Sequence, residues 1–163
     1  MGKTYSGLTD LLPKSSHSGP AVKGLNMTMT LEQIKTKYPD ALAWSFGDSP
    51  DLANELATLV LTGKKIATCS SLQGWYEDDV KPQPGGYSII LNGADNPVCV
   101  IRTTGLFVTR FDRVTPEMAM MEGEGDLSLE YWQREHQRFF QRNGGFSTEM
   151  ELIFETFQLV EVI

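Results

Sequence analysis

The chain is poor in cysteine, in positive charge and in long apolar runs. Its two cysteines, Cys69 and Cys99, belong to no CxxC pair and no Cys/His cluster, which excludes a disulfide framework and a structural zinc site and fits a reducing, cytoplasmic setting. No apolar stretch approaches the roughly 20 residues that span a bilayer. The first residues are interrupted by Asp10, Pro13, Lys14 and Ser15-Ser16-His17-Ser18, so neither a membrane partner nor a secretory signal is expected. Lys and Arg number 14 against 21 Asp and Glu, a net charge of -7. That balance argues against extended duplex DNA, because such affinity scales with the phosphates neutralised; a local site for a small nucleoside or single-stranded RNA stays compatible. Also missing are a Walker loop, a dinucleotide fingerprint, HExxH and GxSxG. No metal and no cofactor is expected.

What is present fits one domain: 163 residues, 40% hydrophobic and 21% charged, enough for a core without staples. Residues 1–28 are rich in Gly, Ser, Pro and Lys without a sustained period, and read as a disordered extension ahead of a domain over 29–163. Leu31, Ile34 and Tyr38 recur at helical spacing and Pro39 stops them. A second helix has Ser49 as N-cap, Pro50 at the first helical position, an apolar stripe of Leu52, Leu56, Leu59 and Val60, and Gly63 as its left-handed end. Strands are expected over 65–71, 87–91 and 98–109, with a hairpin through Asn92-Gly93. Helical spacing returns near Pro116 and again from Leu127, carrying Leu129, Trp132, His136, Phe139 and Phe140, until Asn143-Gly144-Gly145. Residues 151–162 read as a closing strand. This order favours an α+β fold, a small mixed β-barrel with flanking helices, over a doubly wound parallel sheet.

Chemistry concentrates in three places. Gly63-Lys64-Lys65-Ile66-Ala67-Thr68-Cys69-Ser70 sets cations beside hydroxyls where a helix gives way to a strand. A lysine withdrawn from water has its pKa lowered and can serve as a base towards a hydroxyl, here Lys65 towards Thr68. On a regular strand residues three apart face opposite sides, so the two converge only if Lys65 lies in the turn. Glu122-Gly123-Glu124-Gly125-Asp126 packs three carboxylates into a loop, suiting acid/base work, capture of a hard cation, or capping of the next helix. Trp44, Phe46, Trp75 and Tyr76 read as loop aromatics on which a base could stack, or as cover for a core edge. Arg102, inside an apolar strand, is a candidate for a phosphate or carboxylate partner. His136 on an apolar helix face reads as a hydrogen-bonded core histidine.

Taken in order, Trp44-Ser45-Phe46-Gly47-Asp48, Gly63-Lys64-Lys65-Ile66-Ala67-Thr68, Gly86-Tyr87-Ser88-Ile89-Ile90-Leu91, Cys99-Val100-Ile101-Arg102-Thr103-Thr104, Glu122-Gly123-Glu124-Gly125-Asp126 and Ser128-Leu129-Glu130-Tyr131-Trp132 resemble the ASCH domain family over residues 40–162. The resemblance implies a PUA-like barrel with a cleft at its mouth, and a link to RNA. One small bacterial branch hydrolyses the acetyl amide of N4-acetylcytidine with a lysine, a threonine and a glutamate. Its Gly-basic-Lys-x-x-Thr segment falls on Lys65 and Thr68, and its glutamate, the second of a Glu-x-Glu before a helix, falls on Glu124. The implied roles are Lys65 as base, Thr68 as nucleophile and Glu124 as proton donor to the leaving amine. Trp44, Phe46, Asp48, Lys64, Ser70, Trp75, Tyr76 and Arg102 are the candidate substrate contacts. That branch has an arginine two positions past the threonine where this chain has Ser70, is shorter, and lacks the Trp44–Asp48 motif; Arg102 is the candidate replacement cation. The expected function is therefore hydrolysis of an acylated nucleoside. The alternatives are an RNA or modified-nucleotide binding module, with Lys64, Lys65 and Arg102 on phosphate, and a metal-dependent ribonuclease built on Glu122, Glu124 and Asp126.

Overall fold

A reciprocal cap opens the first helix of the computed structural model, which describes residues 3–4 and 28–163. Thr30 Oγ1 accepts from Gln33 N while Gln33 Oε1 accepts from Thr30 N, starting α1 (Leu31–Lys37), and Pro39 follows its end. Ser49 caps α2 (Pro50–Leu61) through Leu52 N, and Gly63, at φ +74°, turns the chain out of it. Strand β3 (Ala67–Ser71) leads directly into α3 (Leu72–Glu77), capped by Ser71. Thr115 and Ser128 cap α4 (Pro116–Glu122) and α5 (Leu129–Arg142). The extension expected over 1–28 lies outside the described residues, apart from Thr28 and the two-residue strand β1 (Lys3–Thr4).

The remaining strands are β2 (Leu42–Phe46), β4 (Tyr87–Leu91), β5 (Pro97–Arg110) and β6 (Glu151–Val162). With β1 and β3 they form a curled, mixed sheet in the order β1-β2-β4-β5-β6-β3 with helices against it, a half-barrel that agrees with the expected α+β barrel with flanking helices. Among the described residues the β2–β4 pair is parallel and the other pairs are antiparallel. One apolar cluster packs Trp44, Phe46, Ile90, Ile101, Phe154 and Phe157 with α2, α4 and α5. A smaller one seats Ile34 of α1 on Ile89, Leu91 and Val100. Among the described residues no helix is long and apolar enough to cross a membrane.

Three local expectations are corrected. Trp44 and Phe46 lie in strand β2, not in a loop. That strand is five residues long and held by a distant parallel partner, Ala43 opposite Ile89, so local periodicity carries little of its signal. Trp75 and Tyr76 likewise lie in α3 rather than a loop, on a six-residue helix that includes Gly74, a poor helix former. The strand expected from Lys65 begins at Ala67, because the Lys64 and Lys65 amides both donate to Leu59 O at 2.9 and 3.0 Å and finish α2. Lys65 therefore sits in the turn.

Candidate active site

From that turn the Lys65 side chain runs into the interior, where it is 1% exposed. Its ammonium donates to Glu124 Oε1 at 2.8 Å, Glu122 Oε2 at 3.1 Å and the Glu122 carbonyl at 3.3 Å. The Phe46 ring lies beneath it, with its centroid 5.3 Å from Nζ. Both carboxylates reach the same ammonium because the chain reverses at Gly123, φ +73°, against the Lys64–Lys65 backbone. A Cβ at Gly123 would stand 2.2 Å from Lys64 O, so only glycine fits there. Glu122 also accepts from Trp132 Nε1 at 3.0 Å, and its Oε1 lies 3.5 Å from His136 Nε2. His136 stacks on Trp132 and donates from Nδ1 to the Trp132 carbonyl at 2.8 Å. It is the buried, hydrogen-bonded histidine that its helix face suggested.

Charge states follow from these contacts. Burial works to strip the Lys65 proton, but Glu124 and Glu122 outweigh it and hold the ammonium above the ordinary lysine value. Burial likewise pushes the Glu124 carboxyl up, and Lys65 overrides it, taking it down to about 2. The expectation that Lys65 is a base of lowered pKa is thus corrected: it is desolvated, but two carboxylates compensate. Burial, with Glu122 alongside, drives the Cys69 thiol well above its usual range, and burial takes Cys99 up to about 12, so neither is a ready thiolate nucleophile.

Thr68 is fully buried on β3, opposite Glu155 of β6. Ser70 pairs with Ile153 and shares the Thr68 face. Of the other candidate contacts, Phe46 touches Lys65, and Trp44 packs edge-on against Phe46 at 4.6 Å. Asp48 instead ties down the end of α5, accepting from Arg142 Nε at 3.0 Å and Asn143 Nδ2 at 2.7 Å. Lys64 is exposed in the turn and Trp75 half-buried in α3. Tyr76, 72% exposed, lines a cleft of about 770 Å³ between α3 and the α5–β6 connection, whose lining includes neither Lys65 nor Glu124. Arg102 points outward, donating to Gly85 O at 3.2 Å and standing over the Tyr87 ring. It is no replacement cation beside Ser70, since strand alternation turns it away from buried Thr103.

The metal arrangement proposed for Glu122, Glu124 and Asp126 is also corrected. Exposed Asp126 accepts from Ser128 N and Oγ at the start of α5, while the two glutamates turn inward to Lys65. Cys69, Glu122 and His136 offer ligand atoms within 4.8 Å of one another. The Glu122 carboxylate is already bonded to Lys65 and Trp132, so the set works as a hydrogen-bond network around an ammonium. Sequence reasoning missed Glu155, 2% exposed, whose Oε1 accepts from Thr103 Oγ1 at 2.7 Å. The signal was a lone charge inside the apolar run Leu152-Ile153-Phe154-Glu155-Thr156-Phe157.

The ASCH domain family model matches residues 42–161. The chain belongs to the ASCH domain family. This ASCH domain is 32% identical to one of Lactobacillus crispatus JV V101, with TM-score 0.72 over 82% of this chain and 87% of that one. A protein of Enterococcus faecalis V583 is 34% identical, with TM-score 0.70 over 80% and 85%. Among curated proteins nothing matches. The relatives share the PUA-like architecture, and the family is RNA-associated.

Proposed function

We propose that this ASCH domain hydrolyses the amide of a small acylated nucleoside, N4-acetylcytidine being the type substrate, with Thr68 as nucleophile. The observation that carries the reading is the contact of Lys65 with Glu124 at 2.8 Å inside the domain, three residues ahead of the buried Thr68 hydroxyl. A cation and a carboxylate in contact away from water, where electrostatic stabilisation counts most, support the reading, with the buried Thr68 hydroxyl close in the chain as the nucleophile. Lys65 acts as a cation rather than as a base. Thr68 Oγ forms a bond to the acyl carbon while its proton passes to Glu124, and the ammonium of Lys65 offsets the negative charge developing on oxygen. The C–N bond then breaks, with Glu124 returning that proton to the leaving nitrogen. Water attacks the threonine ester, gives its proton to Glu124, and releases the acid as Thr68 Oγ is reprotonated. A neutral nucleoside suits an acidic protein better than a phosphate chain does.

Lys65, Thr68 and Glu124 are each no more than 4% exposed, so substrate reaches them only when the chain covering them moves. The test is release of cytidine from N4-acetylcytidine by purified full-length protein, with and without chelator. Thr68→Ala and Glu124→Gln should each lower turnover at least about 100-fold, while chelator should change nothing. No turnover by folded wild-type protein would overturn the reading and favour an RNA-binding role.

A further inference from the structure

Strand β5 is longer than the strand that flanks it on one side. Strand β4 covers it from Pro97 to Arg102, and Gly85 N and Gly86 O close the next step on Thr103 O and Thr103 N at 2.8 and 3.0 Å. On the other side β6 accompanies β5 to Arg110, opposite Glu151. From Thr104 to Arg110 the edge turned away from β6 therefore meets no strand, and no backbone hydrogen bond reaches it among the described residues. Which groups lie on that edge follows from alternation. Phe111 N donates to Met150 O on the β6 side, so the N–H and C=O groups of Thr109 and Phe107 also point to β6, and those of Leu106, Val108 and Arg110 point outward.

Open edges of this kind template pairing with another strand, and proteins blunt them with lysine, proline or an inward-pointing charge. Thr104-Gly105-Leu106-Phe107-Val108-Thr109 holds no charge and no proline. Its centre is apolar and left in water: Phe107 is 44% and Val108 52% exposed, and Leu106 is half-buried. The Phe107 ring rests on the buried Phe154 ring, centroids 5.2 Å apart, so it stands at the rim of the core. The run is also nearly symmetric about Phe107, with Leu106 and Val108 on either side and the small residues Gly105 and Thr109 beyond them.

We propose that this chain forms a two-fold dimer by antiparallel pairing of its β5 edges, with Phe107 of one copy opposite Phe107 of the other. Leu106 of each copy then exchanges two N–H···O bonds with Val108 of the other. The two Phe107 side chains form a non-hydrogen-bonded pair, the arrangement in which opposed side chains come closest. Because the pairing is isologous it closes at two copies, and it joins the sheets into one that runs β3-β6-β5 into β5-β6-β3. A second copy is the occupant because both halves of the contact are present on one chain. The net charge of -7 does not oppose it locally, since Thr104 to Thr109 brings no carboxylate to the axis and Arg110 falls opposite Thr104. The paired stretch is short, so the dimer is reversible.

Sedimentation equilibrium of full-length protein tests it. Wild type should be a dimer that dissociates on dilution through the micromolar range. Val108→Pro removes an N–H that faces the other copy and none that faces β6, so it should weaken the dimer at least about tenfold. Where circular dichroism shows that Val108→Pro has not folded, Val108→Lys takes its place with the same expectation. Register is read by oxidation. Phe107→Cys should form a disulfide-linked dimer, because a non-hydrogen-bonded pair sets the two Cα atoms within disulfide reach. Val162→Cys, equally accessible at 61% exposed but on β6, should stay monomeric on a denaturing gel. Monomeric wild type at every concentration overturns the proposal, as does a dimer unchanged by the folded Val108 variant, or cross-linking of Val162→Cys that matches that of Phe107→Cys.

Discussion

Two groups of charge in this molecule look alike on paper and differ in physics. Arg110, at the surface, donates to Asp112 and Glu149, one cation between two carboxylates. Lys65, in the interior, does the same with Glu122 and Glu124. The surface triad is solvated in either state of the chain, so its net contribution is small and salt-screened. The buried triad has lost its water, and each member depends on the others to remain charged. The difference shows that position, and not the pairing itself, decides how strongly Lys65, Glu122 and Glu124 depend on one another.

Removing each cation breaks the comparison most sharply. Lys65→Met leaves two carboxylates buried without their ammonium and should cost on the order of 3–5 kcal/mol in urea unfolding. Arg110→Met should leave the unfolding midpoint nearly where it was. Equal effects would mean that the Lys65 cluster is hydrated in solution.

The pH dependence sharpens the same contrast. Glu124, lowered to about 2, lends stability that is complete above the unfolded-state value of about 4.3 and lost as pH falls from there through 2. Lys65 is raised, so its contribution is complete below about 10.4 and is lost only as pH climbs through its folded value. Wild type should therefore lose stability between about pH 5 and 2 more steeply than Glu124→Gln, measured by urea midpoint. Parallel curves would remove Glu124 from the ion pair.

The smallest effect belongs to the surface end of the same acidic loop. Ser128→Ala removes the hydroxyl that accepts from Tyr131 N at 3.0 Å and should cost about 1 kcal/mol, with turnover of the acylated nucleoside unchanged. A large loss of turnover would tie the capping end of the loop to the chemistry.

Much of this was legible in the chain. Ser49, Pro50 and Gly63 bound α2 through capping chemistry that acts over a few residues, and β4 and β6 follow from composition between clear turn residues. Strand β2 was not legible, because it depends on a parallel partner more than forty positions away. At the site, the Lys65 and Glu124 types were readable, but the state of Lys65 was not: burial alone predicts a weakened ammonium, and only the fold shows two glutamates on it. Asp126 looked like its neighbours Glu122 and Glu124 until the turn at Gly123 sent them inward and left it at the surface, holding Ser128, the cap of α5. Glu155 stayed hidden because its role depends on which face of β6 meets Thr103.

The account turns on Thr68 as the residue that takes the acyl group. Wild-type protein, mixed with N4-acetylcytidine and quenched in acid during turnover, should show by peptide mass spectrometry one acetyl group on the peptide holding Thr68, absent from a Thr68→Ala partner. Turnover by wild type with no acetyl group on Thr68, or with an acetyl group on a different residue, would contradict it.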